Sequence, residues 1–159
     1  TALGGRREMK YYSEKLKKYV ITCRPHWADR RVCTVTTEDF RTFTPVIHSL
    51  QTDSIDEPMS EAYGMPIFEY DRFHIGLMWK YLRPNDGESV AVGNQLINNL
   101  GRMYPELAYS TNGLNYMRSL RKPFIEQNDP MLPYYGCLFT TTIIEKDDDI
   151  FVIKLSCHG

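Results

Sequence analysis

The sequence lacks the features that mark several classes of protein. Its four cysteines, at positions 23, 33, 137 and 157, are too few and too scattered for the disulfide framework of a small secreted domain. No uncharged apolar run approaches the ~20 residues of a membrane-spanning helix, and no signal peptide is recognisable. We therefore expect a protein of a reducing compartment that meets any membrane only peripherally.

The sequence also lacks an overall excess of charge, with 19 basic residues against 20 acidic ones. A balanced chain offers no strong global field for nucleic acid or membrane. Residues 1–18 are an exception to this charge balance. Their sequence predicts a basic amphipathic segment that precedes one globular domain over 19–159. This segment is expected either to contact phosphate groups of nucleic acid or acidic lipid, or simply to be a solvated face. Its basic residues are Arg6, Arg7, Lys10, Lys15, Lys17 and Lys18.

The motifs of common enzymes are missing as well. There is no P-loop, no dinucleotide-type glycine pattern, no GxSxG and no EF-hand loop. A nuclease-like set can be assembled from Asp71, Glu88 and Lys154, but so can many others. The acidic run 147–149 is typical of a solvated turn. We predict no enzymatic activity, no catalytic residues, no cofactor and no small-molecule substrate.

The sequence contains one candidate metal site. Cys23 and His26 have a zinc-ligand spacing, and they would need Cys157 and His158 as partners. Adjacent residues such as 157 and 158 chelate poorly, and a convincing zinc domain shows two closely spaced pairs. We predict buried thiols and surface histidines, and no metal.

Apolar patterns predict a folded domain with several strands. The apolar fraction is 42%, well above that of a disordered chain. Strands are predicted at 19–23, 31–37 and 73–82, although the pattern of the last also fits a buried helix. The C-terminal segments GCLFTTTII and IFVIKLSC flank the acidic run EKDDD and predict a β-hairpin.

Other segments predict helices. Residues 7–19 have apolar residues at helical spacing, and Thr44 followed by Pro45 is a helix-start signal. Apolar residues also recur every three or four positions in 90–104 and 112–120. Residues 51–66 predict a mobile acidic loop. Together these patterns predict an α+β fold: a single, mainly antiparallel sheet with two or three packed helices and a C-terminal β-hairpin.

A small apolar cluster, Val90, Ala91 and Val92, follows the polar turn RPNDGES. Such a cluster at a loop tip can insert into a membrane interface or a neighbour's pocket. It can equally be the first turn of the following helix.

Several segments, in order, resemble the matrix proteins of vesiculoviruses. They are TVTTEDFRTFTPV, HIGL, KYLRPNDGESVAV, LRKPF and LFTTTII, within residues 19–150. The resemblance implies a strand entering a helix at FRTFTPV and a self-associating protein that joins the nucleoprotein to the inner face of the envelope. Residues 90–92 match the family's exposed self-association and membrane loop. The chain has no Pro-Pro-x-Tyr motif, so no budding activity is implied.

These observations predict a non-enzymatic protein that functions in assembly. The first hypothesis is a matrix-like structural protein of the virion and host cytoplasm, which binds itself, viral nucleoprotein or RNA, and an acidic membrane surface. The alternatives are a nucleic-acid-binding regulatory or suppressor domain and, third, a small enzyme with scattered site residues. Salt should separate the first two, because phosphate binding weakens steeply with salt while apolar association does not.

Overall fold

The computed structural model describes residues 9–25, 29–83, 89–92, 95–98, 101–126, 136–147 and 149–157. Every regular element in these residues is a β-strand. The predicted α+β fold with two or three packed helices is therefore wrong, and the described part of the chain is all-β. The strands are β1 (Met9–Ser13), β2 (Lys18–Cys23), β3 (Val32–Thr37), β4 (Ile47–Leu50), β5 (Ser60–Gly64), β6 (Ile67–Tyr70), β7 (Phe73–Leu82), β8 (Ser89–Val92), β9 (Gln95–Asn98), β10 (Arg102–Ser110), β11 (Met117–Pro123), β12 (Cys137–Lys146) and β13 (Asp149–Cys157).

The strands form two large sheets and one small one. The first sheet has four strands in the order β1-β2-β3-β4, each antiparallel to the next. The second has seven strands: β13-β12-β10-β7-β5 along its main path, with β11 beside β10 and β6 beside β7. A short antiparallel pair, β8 and β9, forms the third. Most neighbours in sequence are neighbours in a sheet, so most connections are hairpin turns.

The two large sheets share one apolar core. Backbone and side-chain hydrogen bonds join them as well. The Thr22 hydroxyl donates to the Met65 carbonyl at 3.1 Å, and the Tyr116 amide donates to the Ser49 carbonyl at 3.0 Å. The sheets are thus fixed together by packing and by direct bonds. The buried apolar residues at their junction are Val32, Leu50, Ala62, Met65, Met78, Ala108 and Tyr116.

The strands predicted at 19–23, 31–37 and 73–82 are confirmed as β2, β3 and β7, and the C-terminal hairpin is confirmed as β12 and β13. The longest of these, β7, pairs with β10 along one edge and with β5 and β6 along the other. Because both edges are occupied, β7 lies at the centre of its sheet and is buried over most of its length.

The helix predicted over 7–19 is wrong, since residues 9–23 form the β1–β2 hairpin. This hairpin also spans residue 18, where the sequence analysis divided the chain. Burial alternates along β1: Tyr11 and Ser13 point inward, while Lys10 and Tyr12 are exposed. That period of two belongs to a strand. Lys17 closes the turn with φ 52, a left-handed conformation that a continuing helix excludes.

The helix predicted to begin at Thr44 and Pro45 is also wrong. The Thr44 amide donates to the Thr36 carbonyl at 3.0 Å, and the Thr44 hydroxyl accepts from the Thr36 amide at 2.9 Å. Thr44 therefore satisfies the end of β3 instead of capping a helix. The chain then enters β4, and the strand-to-helix transition that the resemblance implied at FRTFTPV is absent from this segment.

Strands also replace the helices predicted over 90–104 and 112–120. Residues 89–92, 95–98 and 102–110 are β8, β9 and β10. The Asn112 side chain accepts from the amides of Leu114 and Asn115, which holds a turn where a helix would have begun. The described residues accordingly contain no helix long and apolar enough to cross a membrane.

Candidate interaction surface

The C-terminal hairpin carries a row of exposed apolar side chains. Phe151, Ile153 and Leu155 alternate along β13 and so share one face, and Ile144 lies opposite Phe151 on β12. Their exposed fractions are 46% for Ile144, 51% for Phe151, 44% for Ile153 and 59% for Leu155. We call these four residues the apolar hairpin face. Contiguous exposed apolar residues of this kind mark interaction surfaces.

The outer edge of β13 adjoins this face. Among the described strands only β12 pairs with β13, which stands at the end of its sheet. Exposed edges are usually protected by proline, bulges or charged side chains, above all lysine, and β13 carries a single lysine, Lys154. The strand DIFVIKLSC contains no proline, and the register shift of the hairpin lies at residues 140–142 on β12. The edge is therefore suited to pairing with another strand.

The base of the hairpin is held firmly to the rest of the molecule. The Trp79 indole Nε1 lies 3.0 Å from both the carbonyl and the hydroxyl oxygen of Thr140 and donates to them. Phe139 packs edge-on against the same indole, with ring centroids 5.1 Å apart. Leu138 and Thr140 are fully buried. The apolar hairpin face thus stands on a rigid support.

The described part of the predicted basic patch lies on the β1–β2 hairpin. Most of its lysines interact with other residues of the same chain. Lys17 pairs with Glu14 at 2.9 Å, and Lys18 pairs with Glu38 at 3.3 Å. Lys15 Nζ donates to the Phe73 carbonyl at 3.1 Å. Lys10 is exposed on β1. Such exposed pairs contribute little to stability and exchange readily with other anions. Arg6 and Arg7 lie outside the described residues.

Val90, Ala91 and Val92 belong to a strand and not to a loop tip or a helical turn. They lie in β8, where Val90 is opposite Ile97 and Val92 opposite Gln95. The positions of their side chains lie outside what the structure describes. Their role in association stays a prediction that rests on the sequence.

A buried cluster of charges lies between β7, β10 and β11, and it includes the acidic loop predicted to be mobile. Lys80 Nζ is 2.9 Å from Asp56 Oδ1, 2.5 Å from Glu57 Oε2 and 3.3 Å from Glu106 Oε1. Arg118 contacts Asp56 and lies 3.3 Å from Glu106 Oε2. Among the described residues no group donates a hydrogen bond to Glu106 Oε1, although Lys80 Nζ lies 3.3 Å away.

The pKa values in this cluster follow from its pairing. Burial disfavours the charge of Lys80, yet its bonds to Glu57 and Asp56 and the charge of Glu106 hold the Lys80 pKa above its ordinary value. Burial likewise opposes the charge of Asp56, but its bonds to Arg118 and other donors hold that pKa below the ordinary value. Both shifts favour the charged forms of Lys80 and Asp56, and the ion pair between them anchors the 51–59 segment on the sheet.

A second polar cluster joins β1 to β6 and β7. The Tyr11 hydroxyl lies 3.1 Å from Nδ1 of the buried His74. Glu69 Oε1 accepts from the Ser13 hydroxyl and lies 3.6 Å from His74 Nδ1. Because Ser13 contacts the carboxylate and accepts the Leu16 amide, it is not arranged as a nucleophile on His74. Sequence analysis missed both clusters, whose members are far apart along the chain and follow no local pattern.

The structure describes only some of the candidate metal and nuclease residues. Cys23 and Cys33 are buried, and neither is in a disulfide. Asp71 lies in the β6–β7 turn and Lys154 on β13, whereas Glu88, His26 and His158 fall outside the described residues. In the part of the chain that the structure describes, no group of three or more histidine, cysteine or carboxylate side chains is placed to hold a metal ion.

No protein-family model, curated protein or solved structure matches this chain. The fold and the surface together define an all-β domain with an exposed apolar edge strand. A fold does not determine a function, so the function has to be argued from the surface.

Proposed function

We propose that this protein is a non-enzymatic assembly protein whose copies associate through the apolar hairpin face and the outer edge of β13. The supporting observation is the row of four exposed apolar side chains beside an open strand edge. Full burial of an exposed side chain of this kind contributes about 1.5–3 kcal/mol, and about half of that is available per residue here, because these side chains are 44–59% exposed before association. Strand addition supplies main-chain hydrogen bonds at the same time.

The pattern of β13 favours a second copy of β13 as its partner. An antiparallel pair centred on Ile153 places Ile153 opposite Ile153 and Phe151 opposite Leu155, so these three residues of the apolar hairpin face meet apolar residues, while Val152 lies opposite Lys154 on the other face. The acidic turns at 147–149 then lie at opposite ends of the pair. A parallel pair would place the two acidic turns side by side, where like charges repel.

The matrix-like role is an extension of this proposal. Its support is the sequence resemblance together with the lysines of the β1–β2 hairpin. In this role the protein links nucleoprotein to an acidic membrane surface in the virion and host cytoplasm, peripherally and on the inner face. The β1–β2 hairpin would contact lipid phosphate, each nearby lysine contributing about 1 kcal/mol.

Nucleic-acid binding is the second candidate, favoured by the same lysines. The affinity for RNA should fall steeply as the salt concentration rises. It should be roughly inversely proportional to the salt concentration raised to the number of phosphates contacted. Charge reversal of Lys15, Lys17 and Lys18 should abolish binding to RNA or to acidic liposomes. Full retention in a folded variant would eliminate the phosphate-binding role for this hairpin.

The association proposal is tested by sedimentation velocity over a range of protein concentrations. The wild-type chain should form a dimer, whereas the double variant Phe151→Ser, Ile153→Ser should remain a monomer. The matched control is Val46→Ser with Ile55→Ser, which removes two exposed apolar side chains elsewhere on the surface. Circular dichroism confirms that each variant is folded.

Two results would overturn the proposal. One is a wild-type chain that stays monomeric up to about 1 mM, the concentration at which even weak specific complexes form. The other is a folded Phe151→Ser, Ile153→Ser variant that dimerises as well as the control.

A further inference from the structure

The four cysteines, which look scattered in the sequence, form two cross-strand pairs. Cys23 of β2 lies opposite Cys33 of β3. Cys137 of β12 lies opposite Cys157 of β13. In each case two neighbouring antiparallel strands bring distant positions into register, and no cysteine of the chain is left without a cysteine opposite.

We infer that Cys23 and Cys33 close to a cross-strand disulfide while the chain folds, before burial makes the two thiols inaccessible. Directly opposed residues in an antiparallel pair have Cα atoms about 4.5–5.5 Å apart. Disulfides need Cα separations of roughly 4.4–6.8 Å, so the backbone is already within range. Both side chains are buried, and neither cysteine is in a disulfide in the structure.

The environment of Cys23 and Cys33 is consistent with a disulfide between them. The two sulfur atoms are close enough for the charge of Cys23 to contribute to the raised pKa of Cys33, after the larger effect of burial. Cys33 also lies opposite His48 of β4 on its other side, and both cysteines are buried, so the pair lies within the fold. The bond is thus intrachain and shielded from a second molecule.

The oxidant is a low-molecular-weight disulfide of the glutathione class. One cysteine thiolate attacks a sulfur of this disulfide, breaks its S–S bond and releases one small thiol. The second cysteine loses its proton and attacks the resulting mixed disulfide, which releases the second small thiol. The protein dithiol gives up two protons and two electrons in total, and the small disulfide is reduced to two thiols.

The disulfide would close the base of the 24–32 segment. That segment presents two arginines to aromatic rings: Arg24 and Arg30 lie 5.0 Å and 5.3 Å from the centroid of Tyr63, and Arg30 also lies 5.2 Å from Tyr81. Closing the loop restricts the unfolded chain more than the folded one and so raises the melting temperature.

The test uses the full chain with Cys137→Ser and Cys157→Ser, so that only Cys23 and Cys33 can react. The reduced, denatured protein is refolded in a glutathione redox buffer, in which the thiols are accessible before the strands pair. We expect folded monomer that has lost about 2 Da, a single Cys23–Cys33 linked peptide, and a melting temperature that falls on reduction. Adding Cys33→Ser should abolish all three results.

Two outcomes would overturn the inference: folded monomer that keeps both thiols, or oxidation products confined to mixed glutathione adducts and intermolecular dimers. Peptide mapping of the wild-type chain after the same refolding provides a second measurement if the serine variants fold poorly. A native wild-type fraction without the Cys23–Cys33 linkage would then reject the site.

Discussion

At the scale of single residues, His74 is a buried imidazole at the junction of the two large sheets. Burial lowers its pKa below the ordinary value of 6.5, the nearby charge of Lys15 adds to this effect, and Glu69 opposes it. Its other polar neighbours are the hydroxyl of Tyr11 and the Ser13–Glu69 pair. The folded protein therefore keeps His74 neutral at a pH where the unfolded chain is protonated.

Acidification should weaken the fold through His74 before the carboxylates titrate. Below the unfolded pKa of 6.5 the unfolded chain binds a proton that the folded chain does not, so the free energy of unfolding falls as the pH falls. We expect urea unfolding of the wild-type chain to show this loss over the interval immediately below pH 6.5. The His74→Gln variant should show a shallower slope over that interval, and equal slopes would contradict the prediction.

Cys33 should be inert in the folded protein. Burial raises the pKa of its thiol to about 11, and the neighbouring Cys23 adds to this effect. Thiolate is the reactive form, and at about pH 8 it is scarce and inaccessible at this site. Ellman's reagent should therefore label Cys33 only after denaturation, as located by peptide mapping. Labelling of native Cys33 at the rate of a free thiol would contradict this account.

At the scale of elements, sequence patterns correctly predicted strands that show a clear alternation of residues or a well-marked turn. Alternation in β7 and the acidic turn between β12 and β13 indicated those strands correctly. In β10, by contrast, residues 103–106 are buried on both faces, so no period of two is visible in the sequence. Spacings of three and four residues near 90–104 then suggested a helix. Tertiary pairing overrode that local pattern.

The buried polar clusters could not be predicted from the sequence, for a different reason. Lys80, Glu106 and Arg118 lie on three strands and meet only through the pairing of β10 with β7 and β11. Nothing in the local sequence distinguishes Lys80 from an exposed lysine. The apolar hairpin face was overlooked too, although its residues fall within the correctly predicted hairpin, because exposure depends on what the rest of the chain covers.

Gly101, just before β10, should not tolerate a side chain. Its φ is +77, and an added Cβ would lie 2.4 Å from the Leu82 carbonyl oxygen. Because the obstacle is backbone, relief requires a shift of the β7–β10 pair. We expect Gly101→Ala to lower the free energy of unfolding by about 1–3 kcal/mol in urea titrations. A loss under about 0.5 kcal/mol, as for an ordinary surface change, would contradict this account.

Removal of Lys80 should destabilise the fold strongly, because it leaves Asp56 and Glu106 buried beside each other with less compensation. We expect Lys80→Met to cost about 3 kcal/mol or more in urea unfolding, and Lys80→Met with Glu106→Gln to recover part of that loss. Lys122→Met, at an exposed position of β11, is the matched control and should change stability by less than about 0.5 kcal/mol. A double variant no more stable than Lys80→Met would contradict the coupling.

At the scale of the whole molecule, salt should separate the two binding surfaces. Dimerisation through the apolar hairpin face should persist or strengthen at about 0.5 M sodium sulfate, because excluded salts favour apolar burial. Binding of the lysine hairpin to acidic liposomes should be lost at about 0.5 M sodium chloride, which screens surface charges. Sedimentation and liposome flotation on the same preparation measure both, and parallel losses would contradict a division between the surfaces.

The position of β13 at the end of its sheet also sets how far assembly can proceed. A pair of identical edges related by a two-fold axis is isologous, and each copy uses its edge up in forming it. This contact closes on itself, so it yields dimers and neither rings nor filaments. A continuous layer would require a second, different contact per copy. Concentration-dependent growth beyond the dimer would therefore reveal that second surface, and mutations on β13 would leave it intact.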